Sequence, residues 1–352
     1  MLCGTHTCIT TQSLYLLLPW CVGLSLRNWE YVDLPRGTNI LRSKFVFDIK
    51  RGAGGEFVKF KARMVAMGFT QVEGVDYDET FASVMTTKSF RILLAIYNFD
   101  KDLRFEHWDV KTAFVNAPLK ETVFCRQVPT FERVGQEGKI LLLKKALYGT
   151  KQAANAWQNF LAEILLSVGG KRHLKDESVY IFREGKSFLF LGTHVDDLFP
   201  LYNKGGENFR DKILKALQTR MTIDNKGEIN FALDTRIQAD RERGVLKISQ
   251  AKYTQALLAE YNMHSCKERE TPSLLTDMTE SDLPKTEEEK ERVSKYPVRN
   301  LIGRLWWLVL ISRPDLNCAL HKCAVWQNKP SEKLWIKYFA LFKAHMVFWF
   351  SF

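Results

Sequence analysis

An α+β fold built on antiparallel hairpins is what this 352-residue sequence predicts, and three stretches predict it. The first is "SKFVFDIKRGAGGEFVKFKARMVAMGF", where Phe45, Phe47 and Ile49 alternate with polar residues, a Gly-rich turn follows, and "FVKFKARMVA" alternates again. Period-two alternation around a glycine turn reads as a β-hairpin. The second is "LYGTKQAANAWQNFLAEILLSVGG", in which Trp157, Phe160, Leu161, Ile164, Leu165 and Val168 recur at helical spacing until Gly169-Gly170 ends the run. The third is "SVYIFREGKSFLFLGTHVDDLFPLYN", three apolar strands with turns at "EGK" and "VDD". Strands joined by such short turns pair antiparallel, which sets this chain apart from doubly wound α/β folds.

The other elements follow in chain order. "TTKSFRILLAIYNFD" (Thr86 to Asp100) is helical, with Phe90, Leu93, Leu94 and Tyr97 on one side, and "EHWDVKTAFVNAPL" is a short strand and then a loop. A helix is expected at "ENFRDKILKALQTRM" and a hairpin across "INFALDTRIQADRERGVLKISQ". A further helix begins near Gln250, "SDLPKTEEEKERVSK" reads as a charged linker, and "YPVRNLIGRLWWLVLISRPDLNCALHKCAVWQ" is helical and apolar. Trp306 and Trp307, among Leu305, Leu308, Val309 and Leu310, read as core residues.

Composition sets the bounds. At 46% hydrophobic and 26% charged residues the chain is of the globular class, and its length admits more than one domain. A net charge of +11 suggests a polyanion as partner. Seven scattered cysteines argue against a disulfide framework and for a reducing compartment. "CALHKC" (Cys318, His321, Cys323) fits no common zinc spacing and reads as a helix with small buried residues. "SLYLLLPWCVGL" (Ser13 to Leu24) is too short to span a bilayer and lacks the basic flank of a signal peptide, so neither secretion nor membrane insertion is expected.

Few acids sit in apolar strand contexts: Asp109 in "EHWDVKTAF", and Asp196 with Asp197 in the "VDD" turn. Buried carboxylates need compensation. Three readings are open: turn residues, a general acid and base, or oxygen ligands for Mg²⁺. The third has the strongest physical case, since two-metal phosphoryl transfer uses acids on neighbouring strands and the ions make those acids tolerable. The basic hairpin, with seven basic and two acidic residues from Arg42 to Arg63, adds cations suited to phosphate.

From about Trp29 to about Tyr338 the chain resembles the reverse transcriptase of copia-type LTR retrotransposon polyproteins. Seven motifs carry the resemblance, in family order: "KFVFDIKR", "KFKARMVAMGFTQVEGVDYDETFASV", "DVKTAF", "LYGTKQA", "HVDD", "ISQAKYTQALL" and "SRPD". It implies a right-hand polymerase with fingers, palm and thumb. It also implies that Asp109, Asp196, Asp197 and the carbonyl of Val110 hold two Mg²⁺ ions (or Mn²⁺) for transfer of a dNTP onto a primer 3′-end. By the same resemblance Lys61, Arg63, Phe114, Tyr148, Gly149 and Lys151 contact the incoming nucleotide, and an RNA or DNA template-primer is the partner. The domains expected are 1–25 outside the family, 26–240 fingers and palm, 241–343 thumb and connection, and 344–352 a divergent tail. The ribonuclease H, integrase, protease and capsid parts of such polyproteins are expected outside this chain. The family's location, a cytoplasmic particle or the nucleus, is implied with it.

Several positions depart from the family pattern. His194 stands where Tyr is usual and is a possible modulator of the site. Ser83 and Ala154 replace prolines, Asn155 replaces a basic residue, and Asp234 occupies a glycine position, where close packing would bury an unpaired acid at a cost. None of these is an expected metal ligand. The departures define a second function reading, a catalytically inactive truncated remnant that retains nucleic-acid binding. A third, a metal-dependent hydrolase on the same acids, is disfavoured by the polymerase motifs around them.

Overall fold

The computed structural model describes residues 28–51, 56–263, 265, 279–329, 331–332 and 348–351. The apolar run Ser13 to Leu24 lies outside them, as does most of the tail. The chain divides into two compact units, Met1–Met85 with Trp108–Asn225, and Thr86–His107 with Lys226–Phe352.

The first unit holds the basic hairpin, strands Ser43–Arg51 and Phe57–Ala66, paired antiparallel from Ser43–Ala66 outward. Its two faces differ because strand side chains alternate. One carries Phe45, Phe47, Ile49, Phe60 and Met64; the other carries Lys44, Lys59, Lys61 and Arg63. Near the base, Met64 is buried in a core with Trp29, Leu141 and Leu147, and Phe45 packs edge-on against Phe131. Toward the tip, Phe47, Ile49, Phe57 and Phe60 are exposed. A four-stranded sheet lies under the base, in the order Trp29–Val32, Ile140–Lys145, Pro118–Arg126, Ile40–Leu41. Sequence reading did not anticipate it. Its strands are short or, like "LLLKK", do not alternate.

A larger sheet carries the acids. Its order is Ile223–Glu228, Arg104–Val110, Asp197–Tyr202, Ser187–His194, Asp176–Glu184, Lys171–His173. Helices Ala153–Ser167 and Glu207–Gln218 share one buried core with it, through Trp157, Leu161 and Leu165 on the first and Ile213 and Leu217 on the second. Facing them are Trp108, Tyr180, Phe182, Leu189, Leu191 and Leu198. The first helix stops as its composition dictates: Gly169 takes φ 99°, and the amides of Gly169 and Gly170 close on the carbonyls of Leu166 and Leu165 at 3.0 Å.

In the second unit, helix Thr87–Phe99 starts at Thr86, whose hydroxyl accepts from the Ser89 amide at 3.2 Å, and buries Phe90, Leu93, Leu94 and Tyr97. A sheet runs Phe231–Ala232, Thr235–Asp240, Val245–Ser249, Phe348–Ser351. Helices Ala251–Glu260, Val298–Ile311 and Asn317–Ala324 form a core around Leu257, Leu301, Leu305, Leu308 and Leu320. Trp306 packs against this core, and Cys323 is buried in it, while Cys318 is exposed.

Two expectations change. The charged linker is partly helical: Glu287–Ser294 forms a helix opened by a capping box between Thr286 and Glu289. Asp234 is not a buried acid. It is exposed in a tight turn where Leu233 and Asp234 take φ 49° and 56°. Asp tolerates that region, so the strain falls on Leu233. With helices, antiparallel hairpins and a parallel pairing of Ile40–Leu41 with Phe124–Cys125, the α+β class holds. Among the described residues no helix is long and apolar enough to cross a membrane.

Candidate functional site

The "VDD" stretch is a two-residue hairpin turn, as expected. His194 and Asp197 form the last register pair, which leaves Val195 and Asp196 at the corner. Val195 takes φ 52°, an unfavourable conformation for a β-branched residue. The turn is held from below: the indole N–H of Trp157 donates to the Val195 carbonyl at 2.8 Å. It is held from the side as well, where the Val110 amide donates to the Asp196 carbonyl at 2.7 Å. That bond sets the end of strand Arg104–Val110 beside the turn and so places Asp109 next to Asp196 and Asp197.

Charge is concentrated here. Asp196 is half-buried, and its Oδ1 is buried with no hydrogen-bond partner. Burial pushes its carboxyl up to about 6, the neighbouring carboxylates of Asp109 and Asp197 push in the same direction, and Lys61 and Arg63 oppose them. Lys61 and Arg63 lie on one face of the basic hairpin, two residues apart. The Lys61 ammonium is lowered by partial burial and then by Arg63, while Asp196 raises it. Tyr148 joins the group: burial pushes its phenol up to about 12, with Asp196 and Asp109 adding to the effect and Arg63 opposing it. Phe114, in the 3₁₀ turn Ala113–Asn116, packs on Tyr148 with ring centroids 4.9 Å apart.

Gly149 is demanded by close approach. It takes φ 89°, and a Cβ there would lie 2.1 Å from the Ala66 carbonyl oxygen. A Cβ on Gly68 would lie 2.1 Å from the Gly149 oxygen. Backbone bonds from Ala66 to Tyr148 (2.8 Å) and from Gly68 to Gly149 (3.1 Å) stitch the hairpin base to the "LYG" loop.

Asp109, Asp196, Asp197, Lys61, Arg63 and Tyr148 are therefore neighbours, with Phe114 against Tyr148 and His194 half-buried at the end of the turn. Lys151 is engaged elsewhere: its ammonium lies 3.0 Å from the Tyr77 hydroxyl, 3.4 Å from the Gln71 carbonyl and 4.6 Å from the Tyr77 ring centroid. Sequence reading missed Lys111. Its Nζ lies 2.6 Å from Asp109 Oδ2 and 3.0 Å from Asp224 Oδ2. A cation two positions after Asp109, just past the end of the strand, was the available signal.

The chemistry of the donor set fits a divalent cation: hard carboxylate oxygens, mutual repulsion, and a buried oxygen without a partner. Among the described residues, however, no three His, Cys, Asp or Glu side chains are already gathered as a ligand group. Asp109 faces Lys111 instead.

Sequence comparison identifies the family of the chain. The profile of the reverse transcriptase (RNA-dependent DNA polymerase) family matches residues 26–275, and the chain belongs to that family, in its copia-type branch. It is 30% identical over 309 residues to the retrovirus-related Pol polyprotein from transposon TNT 1-94 of Nicotiana tabacum, covering 87% of this chain and 23% of that protein. It is 30% identical over 312 residues to the Pol polyprotein from transposon RE2 of Arabidopsis thaliana, covering 87% of this chain and 20% of that one. The chain thus spans about a fifth of the length of the curated relatives it matches. Among solved structures, a foamy viral protease-reverse transcriptase in complex with double-stranded DNA matches at a TM-score of 0.37 and 12% identity, over 81% of this chain and 42% of that one.

Proposed function

We propose that this chain is the catalytic portion of an RNA-directed DNA polymerase that joins dNTPs to the 3′-end of a primer on an RNA or DNA template. The carrying observation is the convergence of Asp109, Asp196 and Asp197 with Lys61, Arg63 and Tyr148 at one strained hairpin turn. In this reading residues 26–240 are fingers and palm and 241–343 are thumb and connection.

Asp109, Asp196 and Asp197, with the carbonyl of Val110, would hold the Mg²⁺ ions. When bound, the ions supply charge neutralisation at the attacking and leaving oxygens of an in-line phosphoryl transfer. The protein's own residues do the rest. Lys61 and Arg63 place cations from the hairpin face over the triphosphate, and the Arg63 guanidinium suits bidentate grip. Phe114 and Tyr148 form an apolar platform for the nucleotide sugar and base. The basic surplus of +11 suits non-sequence-specific grip on the phosphate backbone. Lys151 serves a structural role in this account, because Tyr77 and Gln71 hold it.

A second reading keeps nucleic-acid binding without turnover. It is favoured by the Lys111 contact on Asp109, which takes up a carboxylate oxygen that a cation would need. Primer extension on RNA and DNA templates with Mg²⁺, comparing the wild type with Asp196→Asn, decides between them. Extension by the wild type that Asp196→Asn abolishes supports the polymerase. Template binding with no metal-dependent extension supports the remnant.

A further inference from the structure

Lys111 is the first residue after the strand Arg104–Val110, in the turn that follows and two positions beyond Asp109. Its amide donates to the Thr222 carbonyl at 3.0 Å, which fixes its backbone beside the strand Ile223–Glu228. Its ammonium bridges two acids, Asp109 Oδ2 at 2.6 Å and Asp224 Oδ2 at 3.0 Å. The sheet order gives this bridge a direction. Arg104–Val110 lies between Ile223–Glu228 on one flank and Asp197–Tyr202 on the other. Asp224 therefore ties the ammonium to the flank of Asp109 opposite Asp196 and Asp197.

Exposure is consistent with exchange rather than permanent locking. The side chains of Lys111 and Asp224 are 44% and 51% exposed, while that of Asp109 is 25% exposed. An ammonium in this setting is held weakly and can swing, and releasing one acid leaves it the other.

We propose that Lys111 is a positioning residue, a resident counter-cation that occupies the Asp109 oxygen needed by a divalent cation, with Asp224 as the acceptor that keeps Lys111 when the cation binds. The inference rests on the reading of Asp109, Asp196 and Asp197 as a divalent-cation site. In the metal-free protein the ammonium offsets part of the repulsion among the three acids. On loading it gives up Asp109 and stays on Asp224, so the site carries an internal competitor whose strength Asp224 sets.

Removing Lys111 and removing Asp224 have opposite expected effects, which a merely structural bridge does not give. In Mn²⁺ titrations of the full, EDTA-stripped chain, followed by the electron paramagnetic resonance of free Mn²⁺, Lys111→Met tightens binding about five-fold. Asp224→Asn leaves Lys111 with Asp109 alone and weakens binding about three-fold. A purely structural bridge would weaken binding in both variants. Asp196→Asn locates the signal. If it removes the Mn²⁺ bound by the wild type while Lys111→Met binds no tighter than the wild type, the counter-cation proposal is overturned and the cation-site reading stands. If Asp196→Asn changes nothing, the cation-site reading and the proposal fall together. Circular dichroism of each variant confirms that the exposed substitutions leave the fold intact.

Discussion

Replacing Asp196 by Asn is expected to stabilise the metal-free protein, and the gain is expected to depend on pH. The carboxyl is raised from 3.8 to about 6 in the folded state, by burial first and then by Asp109 and Asp197. A raised acid pKa means that the folded state binds the proton more tightly than the unfolded one. The favourable contribution is complete below about pH 3.8 and is lost as pH rises through about 6. Above that, the ionised carboxylate opposes folding. Two pKa units correspond to about 3 kcal/mol, and solvent screening of this half-buried group lowers the expectation to about 1–3 kcal/mol. Asn keeps the shape and removes the charge. Urea unfolding in EDTA should therefore show Asp196→Asn more stable than the wild type by about 1–3 kcal/mol at pH 7.5, with the gap shrinking to a few tenths at pH 4. Mg²⁺ at pH 7.5 should narrow the gap by stabilising the wild type alone. A gain that is the same at both pH values, or no gain at pH 7.5, would show that charge at this turn is not strained in the way described.

Two further outcomes test the frame around the acids. Gly149→Ala forces a Cβ to within 2.1 Å of the Ala66 oxygen at φ 89° and should cost at least about 2 kcal/mol, read as a fall of several degrees in Tm; an unchanged Tm would contradict the close approach. Trp157→Phe removes the donor to the Val195 carbonyl and should cost about 1–3 kcal/mol in stability, with Mg²⁺-dependent extension falling about ten-fold and template binding unchanged. Full extension by that variant would show that the turn holds itself.

What could be read in advance follows the range of the interactions. The basic hairpin, the Trp157 helix and the three strands around the "VDD" turn were legible because alternation, helical spacing and glycine stops are local signals. The helix Glu287–Ser294 has a local signal too, in the Thr286-to-Glu289 spacing and three glutamates in its first turn, but its density of charge resembles that of a linker. The sheet containing Pro118–Arg126 and Ile140–Lys145 was hard to read because Ile140–Lys145 does not alternate and the outer strands, Trp29–Val32 and Ile40–Leu41, lie far in sequence from the strands they pair with. At the site, the three acids and two basic hairpin residues carried type and context. The partnership of Lys111 with Asp224 did not, since it spans 113 positions and depends on sheet order. Lys151 shows the converse: its motif suggested a role at the nucleotide, and only the folded chain brings Tyr77 and Gln71 around it.

The stitched base of the basic hairpin has a mechanical consequence. Because Ala66 and Gly68 bond to Tyr148 and Gly149, and no side chain can be inserted at either glycine, the junction with the "LYG" loop is the fulcrum for any tilt of the hairpin. The hairpin strands are 9 and 10 residues long, a lever of about 30 Å. A tilt of about 4° at the junction then carries the tip by about 2 Å, while Tyr148, at the fulcrum, hardly translates. With such a tilt Lys61 and Arg63, part-way along the arm, shift relative to the acids more than Tyr148 does.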